Sequence, residues 1–273
     1  MTAAKILIKK TMNSAIIIYL ILLIFLFLFQ RKLQYMPMGK MWEIAAYNLE
    51  GFEEKRLTTS DKIKIYAWYK PAKKDKKIIL YFHGNAGNMG ERAHKFSAFA
   101  NQGFGVLAIS YRGYYGSEGS PSEAGLMRDS DAALQFLLQQ NYQAENIILF
   151  GESLGSGVAV QMATKFNFAA IILESPYSSI AGVAQKKYWY APVKLLLKDK
   201  FESIKFISKI SEPVLIFHGT ADKIVSYQEG KKLFDAANMP KKLITVEGAG
   251  HVDFTNEFLV EEMNNFLQKE GKL

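Results

Sequence analysis

The chain is expected to fold as an α/β domain around a mostly parallel central sheet with helices on both faces. Three features point there. From residue 78 onward, short apolar runs alternate with stretches of helical spacing, as expected of strands covered on both faces by crossover helices. Several of those runs end in glycine or in His-Gly, where the chain has to turn sharply. One of them leads directly into Gly151-Glu152-Ser153-Leu154-Gly155, with small residues after it. With 273 residues and 49% apolar content, the chain can build a sizeable core. It has no cysteine, so disulfides, thiolate metal sites and a cysteine nucleophile are excluded.

The first element in order is a membrane anchor over residues 1–32. Residues 15–29 read AIIIYLILLIFLFLF. As a helix they span roughly 22 Å, and roughly 28 Å with residues 11–14 added, close to the hydrocarbon thickness of a bilayer. A cleaved signal peptide is the rival reading. No small-x-small site follows, and the chain runs on through Gln30-Arg31-Lys32. The net charge of +8 is concentrated here. Residues 1–40 hold Lys5, Lys9, Lys10, Arg31, Lys32 and Lys40 and no acid, leaving 28 basic against 26 acidic residues elsewhere. Such a distribution fits lipid headgroups and not a nucleic-acid partner, whose site would lie on the folded domain. Lys5, Lys9, Lys10 and the amino terminus lean towards a cytoplasmic start with the folded domain on the far side.

Residues 33–50 are expected to form a tether and residues 51–273 the main folded domain. Residues 54–60 and 62–70 form a predicted hairpin turning at Ser60-Asp61, the second strand ended by Pro71. Strands follow at 78–82, 104–109, 146–150, 169–173, 214–217 and 243–246, with helices near 91–101, 122–140 and 154–165 and one after each of the last two strands. Residues 176–211 form an insertion rich in leucine, with Tyr188, Trp189 and Tyr190.

Ligand chemistry in such sheets gathers at the carboxyl ends of the strands. At the end of residues 147–150, G-x-S-x-G places Ser153 on a sharp strand-to-helix turn that lifts its hydroxyl above the sheet. A serine hydroxyl needs a base. His83 and His218 each end a strand before a glycine and are expected to shape their own loops, while His94 sits on a helix surface. His251, in the glycine loop after the last strand, is the candidate base. Asp222, just past residues 214–217, is the candidate acid that orients it. Asp253 is a nearer rival in sequence, expected instead to cap a helix starting near Phe254. Glu174 and Asp199 read as loop hydrogen-bonding residues. The backbone amides of Leu154 and Asn85 are the candidate oxyanion donors. The Asn85 loop lacks the lysine and Ser/Thr of a phosphate-binding loop.

Residues 81–88 (YFHGNAGN), 111–119 (YRGYYGSEG), the GESLGSG turn, 174–177 (ESPY), 218–222 (HGTAD) and Gly250-His251 together resemble the alpha/beta-hydrolase superfamily. The anchor followed by residues 31–37 (RKLQYMP) is similar to its membrane-anchored branch, related to the protein depalmitoylases and the fungal polarity-associated hydrolases. The resemblance covers essentially the whole chain. It implies the alpha/beta-hydrolase fold, the order nucleophile, acid, base found here, and a cap over the active site made by residues 176–211. That insertion is either an apolar acyl pocket or a helix packed on the sheet edge. Ser110 stands where an aspartate commonly precedes the Tyr-Arg-Gly motif, which unsettles an ion pair with Arg112.

The expected activity is hydrolysis of an ester, thioester or amide through an acyl-enzyme, on a lipid-linked acyl substrate, without metal or cofactor. A serine peptidase or small-ester hydrolase is the alternative among enzymes, and an idle membrane scaffold the alternative outside them. No candidate catalytic residue precedes Asn85, so residues 1–32 are expected to be dispensable for activity.

Overall fold

The computed structural model describes residues 3–40 and 42–273. Residues 1 and 2 of the expected anchor and Met41 of the expected tether lie outside the described residues. Helix α1 (Ala3–Gln34) leads to the short strand β1 (Met36–Pro37), then β2 (Glu53–Thr58), β3 (Lys64–Lys70), β4 (Ile78–Phe82), the short β5 (Ala86–Gly87), α2 (Ala93–Asn101), β6 (Gly105–Ser110), α3 (Glu123–Gln139) and β7 (Ile147–Glu152). The second half runs α4 (Leu154–Ala163), β8 (Ala170–Glu174), α5 (Ile180–Lys187), α6 (Val193–Leu196), β9 (Val214–Gly219), α7 (Tyr227–Ala236), β10 (Lys241–Val246) and α8 (Asn256–Lys269). The eight-stranded sheet has the order β10-β9-β8-β7-β4-β6-β3-β2. β2–β3 and β3–β6 are antiparallel and the other neighbours parallel.

The two-residue period of the strands divides the apolar side chains between two layers. In β4, Ile78, Leu80 and Phe82 join the layer covered by α3, α4 and α7, while Ile79 and Tyr81 join the layer covered by α2 and α8. β7 divides in the same way, Ile147 and Leu149 on one side and Ile148 and Phe150 on the other. The runs carry no polar alternation because both faces are buried.

Helix limits follow local caps. Ser122 accepts from the Gly125 N–H and starts α3. Thr255, not Asp253, caps α8, with Oγ1 accepting from Phe258 N–H at 3.3 Å. Asp253 is exposed, and its Oδ2 accepts from Gly250 N–H at 3.3 Å within the preceding loop. A threonine three residues before a free amide offers the better geometry, so the helix begins at Asn256.

Arg112 is paired despite Ser110. Its Nε lies 2.9 Å from Asp129 Oδ1 and its two terminal nitrogens 2.8 and 3.0 Å from the Asp61 carboxylate. The carboxylates come from α3 and from the turn before β3. Ser110 Oγ donates instead to the Tyr115 carbonyl at 2.8 Å.

The insertion is divided. Phe201, Ile207 and Ile210 are buried in the α3/α4 layer, whereas Trp189 and Leu195 are 79% and 80% exposed. The later part of residues 176–211 therefore packs on the domain, while the earlier part leaves large apolar side chains exposed.

Beneath the β7–α4 turn lies a buried charged group absent from the sequence reading. Lys95 Nζ of α2 sits 3.1 Å from Glu152 Oε2 and 2.6 Å from Glu174 Oε2. Arg92 Nη2 lies 2.7 Å from Glu152 Oε1, and Tyr81 OH donates to Glu152 at 2.5 Å. Burial disfavours charge on Glu152, but Lys95 and Arg92 outweigh it and hold the carboxyl well below the usual carboxylate range. Burial, together with neighbouring Glu152, pushes Glu174 up. Lys95→Met should leave two buried carboxyls without their shared cation, costing about 3–5 kcal/mol of stability. Chemical denaturation of both proteins measures it, and a loss under about 1 kcal/mol would show that the lysine is not what holds these carboxylates in the core.

Candidate active site

Ser153 occupies the junction between β7 and α4 with φ 49° and ψ −112°, conformational space that a non-glycine residue seldom enters. The turn is enforced by close backbone approach. A Cβ on Gly155 would lie 2.0 Å from the Phe82 carbonyl oxygen at the end of β4, and one on Gly151 2.6 Å from Ser156 Cα. Only glycine at both places lets α4 start without a loop. The Ser153 N–H donates to the Glu174 carbonyl at 2.8 Å, and the Ser156 hydroxyl donates to the Ser153 carbonyl at 2.6 Å.

His251 comes from the loop after β10, with Nε2 2.9 Å from Ser153 Oγ and Nδ1 2.7 Å from Asp222 Oδ2. Residues 98 and 29 positions apart are thereby brought into one hydrogen-bonded line. The Asp222 side chain has no exposed surface. Its Oδ1 accepts the N–H groups of Ile224 and Val225, both at 2.8 Å. Burial opposes ionisation of Asp222, but hydrogen bonds from His218, His251 and these amides hold its carboxyl well below the usual range. An ionised carboxylate can only accept, so Nδ1 of His251 carries a proton and Nε2 is left to accept from the serine hydroxyl.

The remaining histidines stand apart from that line. His83 Nδ1 meets the Gly84 carbonyl at 2.7 Å, its Nε2 accepts from Tyr111 N–H at 3.4 Å, and burial pushes its pKa down to about 4. His218 Nε2 donates to the Val225 carbonyl at 2.9 Å and lies 3.5 Å from Asp222 Oδ2, so it supports the acid from behind. His94 is exposed on α2. Asp199 is remote from this line and pairs with Arg31 at 2.7 Å.

Asn85, Ser153 and Leu154 line one cavity of about 710 Å³. Leu154 is the first residue of α4, so its amide has no carbonyl to meet within the helix. The Asn85 loop is held by contacts that motif reading did not reveal. Tyr114 OH lies 2.9 Å from both the Asn85 carbonyl and its Oδ1, Met36 N–H donates to the same Oδ1 at 3.1 Å, and β1 pairs with β5. The only sequence signal for β1 was its position directly after the apolar helix, since two-residue strands carry no periodicity. Among the described residues, no group of three or more His, Asp or Glu side chains is placed to hold a metal ion. The arrangement can deprotonate the Ser153 hydroxyl as it attacks an acyl carbon, with amide N–H groups nearby to meet the oxygen that becomes negative.

Comparison with known proteins agrees with this architecture. A family model described as serine aminopeptidase, S33, matches residues 73–206. Among curated relatives, an uncharacterized protein of Mycobacterium tuberculosis is 36% identical over 250 residues, covering 89% of each chain. Alpha/beta hydrolase domain-containing protein 17B of Homo sapiens is 34% identical over 203 residues, covering 71% of this chain and 67% of that one. Among solved structures, an esterase of Pyrococcus furiosus superposes with a TM-score of 0.71 at 19% identity, covering 86% of this chain and 97% of the other. An alpha-beta hydrolase of Vibrio vulnificus does so with a TM-score of 0.69 at 20% identity, covering 84% and 87%. At those identities the two structures speak to the fold alone. Sheet order and sequence relationship lead to one assignment: the chain belongs to the alpha/beta-hydrolase superfamily and is a hydrolase.

Proposed function

We propose that this hydrolase is a serine enzyme that cleaves an acyl ester, thioester or amide through an acyl-enzyme on Ser153. The observation that carries the reading is the line from Ser153 Oγ through His251 to the buried Asp222, at 2.9 and 2.7 Å. His251 Nε2 takes the hydroxyl proton as Oγ bonds to the acyl carbon, then returns it to the leaving group as the acyl bond breaks. Water, deprotonated by the same nitrogen, then releases the acid. Asp222 holds the tautomer and stabilises the imidazolium formed in each half. The amides of Asn85 and Leu154 receive the oxyanion. No cofactor enters this scheme.

A lipid-linked acyl substrate is supported by two features. The cavity beside Ser153 is walled largely by aliphatic side chains, including Ile180, Val183, Val193 and Leu197. The stretch Ile8–Gln34 is also long and apolar enough to cross a membrane. We assign residues 1–32 as a single-pass anchor, residues 33–50 as the link to it and residues 51–273 as the catalytic domain, with residues 176–211 as its cap. The charge distribution favours a cytoplasmic start and a domain on the opposite side. The family model described as serine aminopeptidase favours a second reading, cleavage of an amide next to an amino group. Turnover of p-nitrophenyl acyl esters against aminoacyl p-nitroanilides separates the two, the first reading requiring the esters to be preferred.

Ser153→Ala and His251→Ala should each lower ester turnover on the order of 10⁴–10⁶-fold. Both should retain native circular dichroism and lose labelling by a fluorophosphonate probe, whereas His94→Ala should label normally. Substantial turnover by folded Ser153→Ala would refute the serine mechanism. The full-length protein should also stay with membranes in high salt and alkaline carbonate and dissolve only in detergent. Coulomb attraction to headgroups is screened by salt, while burial of an apolar helix is not. Release of the intact chain by salt would mean that the basic cluster alone holds it to lipid.

A further inference from the structure

An anchor that only holds a domain at a membrane has no reason to place polar groups against that domain. The last turns of α1 do so. Gln30 is 8% exposed. Its Oε1 accepts the Lys198 N–H at 2.6 Å, and its Nε2 donates to the Phe27 and Leu196 carbonyls at 2.7 and 3.3 Å. Arg31 forks onto Asp199 at 2.7 and 3.1 Å, and Gln34 Nε2 donates to the Asp199 carbonyl at 3.0 Å. Further back, Tyr19 OH donates to the Tyr190 carbonyl at 2.7 Å, and Lys198 Nζ lies 4.3 Å from the centre of the Phe27 ring. Polar side chains of an apolar helix are costly unless paired. Here they are paired with backbone and carboxylate groups of one segment, residues 190–199 of the cap. Helix and cap are thus docked along about half of the helix, from Tyr19 to Gln34.

The cavity that reaches Ser153 lies between these two elements. Leu26, Phe27 and Leu33 of α1 face it from one side, and Ile180, Val183 and Leu196 of the cap from the other. Its volume of about 710 Å³ falls within the range that holds an extended ligand. On its outer side the same stretch of α1 shows Ile24, Phe25 and Leu28 to the surroundings, and the cap adds Trp189 and Leu195. The apolar surface that would face lipid therefore borders the apolar lining of the cavity. Resting on the serine-hydrolase reading, we infer that α1 is one wall of the substrate site. An acyl chain held in the bilayer enters between α1 and the cap and follows Leu33, Phe27 and Leu26, bringing its carbonyl to Ser153. On this inference residues 1–32 are needed for activity on long acyl chains, because their removal strips Leu26 and Phe27 from the cavity and Arg31 from Asp199.

Each buried methylene contributes about fourfold in binding, so a wall of the channel should govern acyl-chain length. The test uses the full-length protein in detergent and p-nitrophenyl esters from C4 to C16, with active sites counted by fluorophosphonate titration. Leu33→Trp should narrow the channel and cut the ratio of kcat/KM for C12 over C4 about tenfold or more. Phe27→Ala should widen it and move the preferred chain length upward by two or more methylenes. Leu28→Trp, on the exposed side of the same helix, should keep the wild-type profile. Shifts in opposite directions cannot arise from a common loss of stability. Labelling of Ser153 with one unchanged profile in all three variants, or a Leu28→Trp profile displaced as far as that of Leu33→Trp, overturns the inference alone. Failure of the unmutated protein to label overturns the serine-hydrolase reading and this inference with it.

Discussion

Contact between α4 and the end of β4 without any intervening side chain is the constraint on which the site rests. Gly155 stands so close to the Phe82 carbonyl that even a methyl group would overlap it. Because α4 can begin there, β7 turns into the helix at Ser153 alone, and that residue takes up the strained backbone. Strain of this kind persists only where the surroundings over-determine it. Here the surroundings are the Ser153 N–H on the Glu174 carbonyl and the Ser156 hydroxyl on the Ser153 carbonyl. Once the serine is raised, a loop from β10 has only to bring His251 across two strands, and the parallel pairing of β8, β9 and β10 sets that distance.

The same end of the sheet concentrates buried charge in two places with opposite consequences. Asp222 is buried but satisfied by two amides and two histidines, so its ionised form is favoured beside the His251 ring. Glu152, one residue before Ser153, carries its charge against Lys95 and Arg92 on the other side of the sheet. Alternation along β7 explains the separation. Ser153 is presented above the carboxyl edge, while Glu152 points into the α2 layer. The cations beneath the turn therefore brace the strand end and do not contact the serine hydroxyl.

Helix α1 links the most apolar surface of the molecule to the cavity beside Ser153. Its apolar length matches a bilayer span, yet its last turns carry Gln30, Arg31 and Gln34, each bonded to the cap. After it, Tyr35 is buried in the α3/α4 layer and Met36 holds Asn85. A single stretch of about ten residues thus ends the apolar helix, lines the cavity and holds the Asn85 loop beside Ser153. Such continuity gives a physical reason for the apolar helix and the hydrolase fold to occur in one chain.

The sequence by itself determined the order of the eight main strands and the principal helices between them, because both faces of the sheet are covered and its strands read as uninterrupted apolar runs such as residues 78–82 and 147–150. It also nominated Ser153, Asp222 and His251, since each follows a strand at the edge where the chain must turn, and the structure places His251 within hydrogen-bond distance of both others. The start of α8 was misread at Asp253 because acidic residues and threonine compete for the same cap, and only backbone direction selects Thr255. Lys95 could not be recognised as a core residue, for a lysine on a short helix reads as solvated until its two carboxylate partners, 57 and 79 positions away, are in place. The docking of α1 was equally illegible. Gln30 and Arg31 look like the polar flank of a membrane span, and only the tertiary structure brings the cap carbonyls and Asp199 to meet them. Local patterns record which residues must be buried or must turn, whereas long-range polar pairing depends on where two distant segments come to lie.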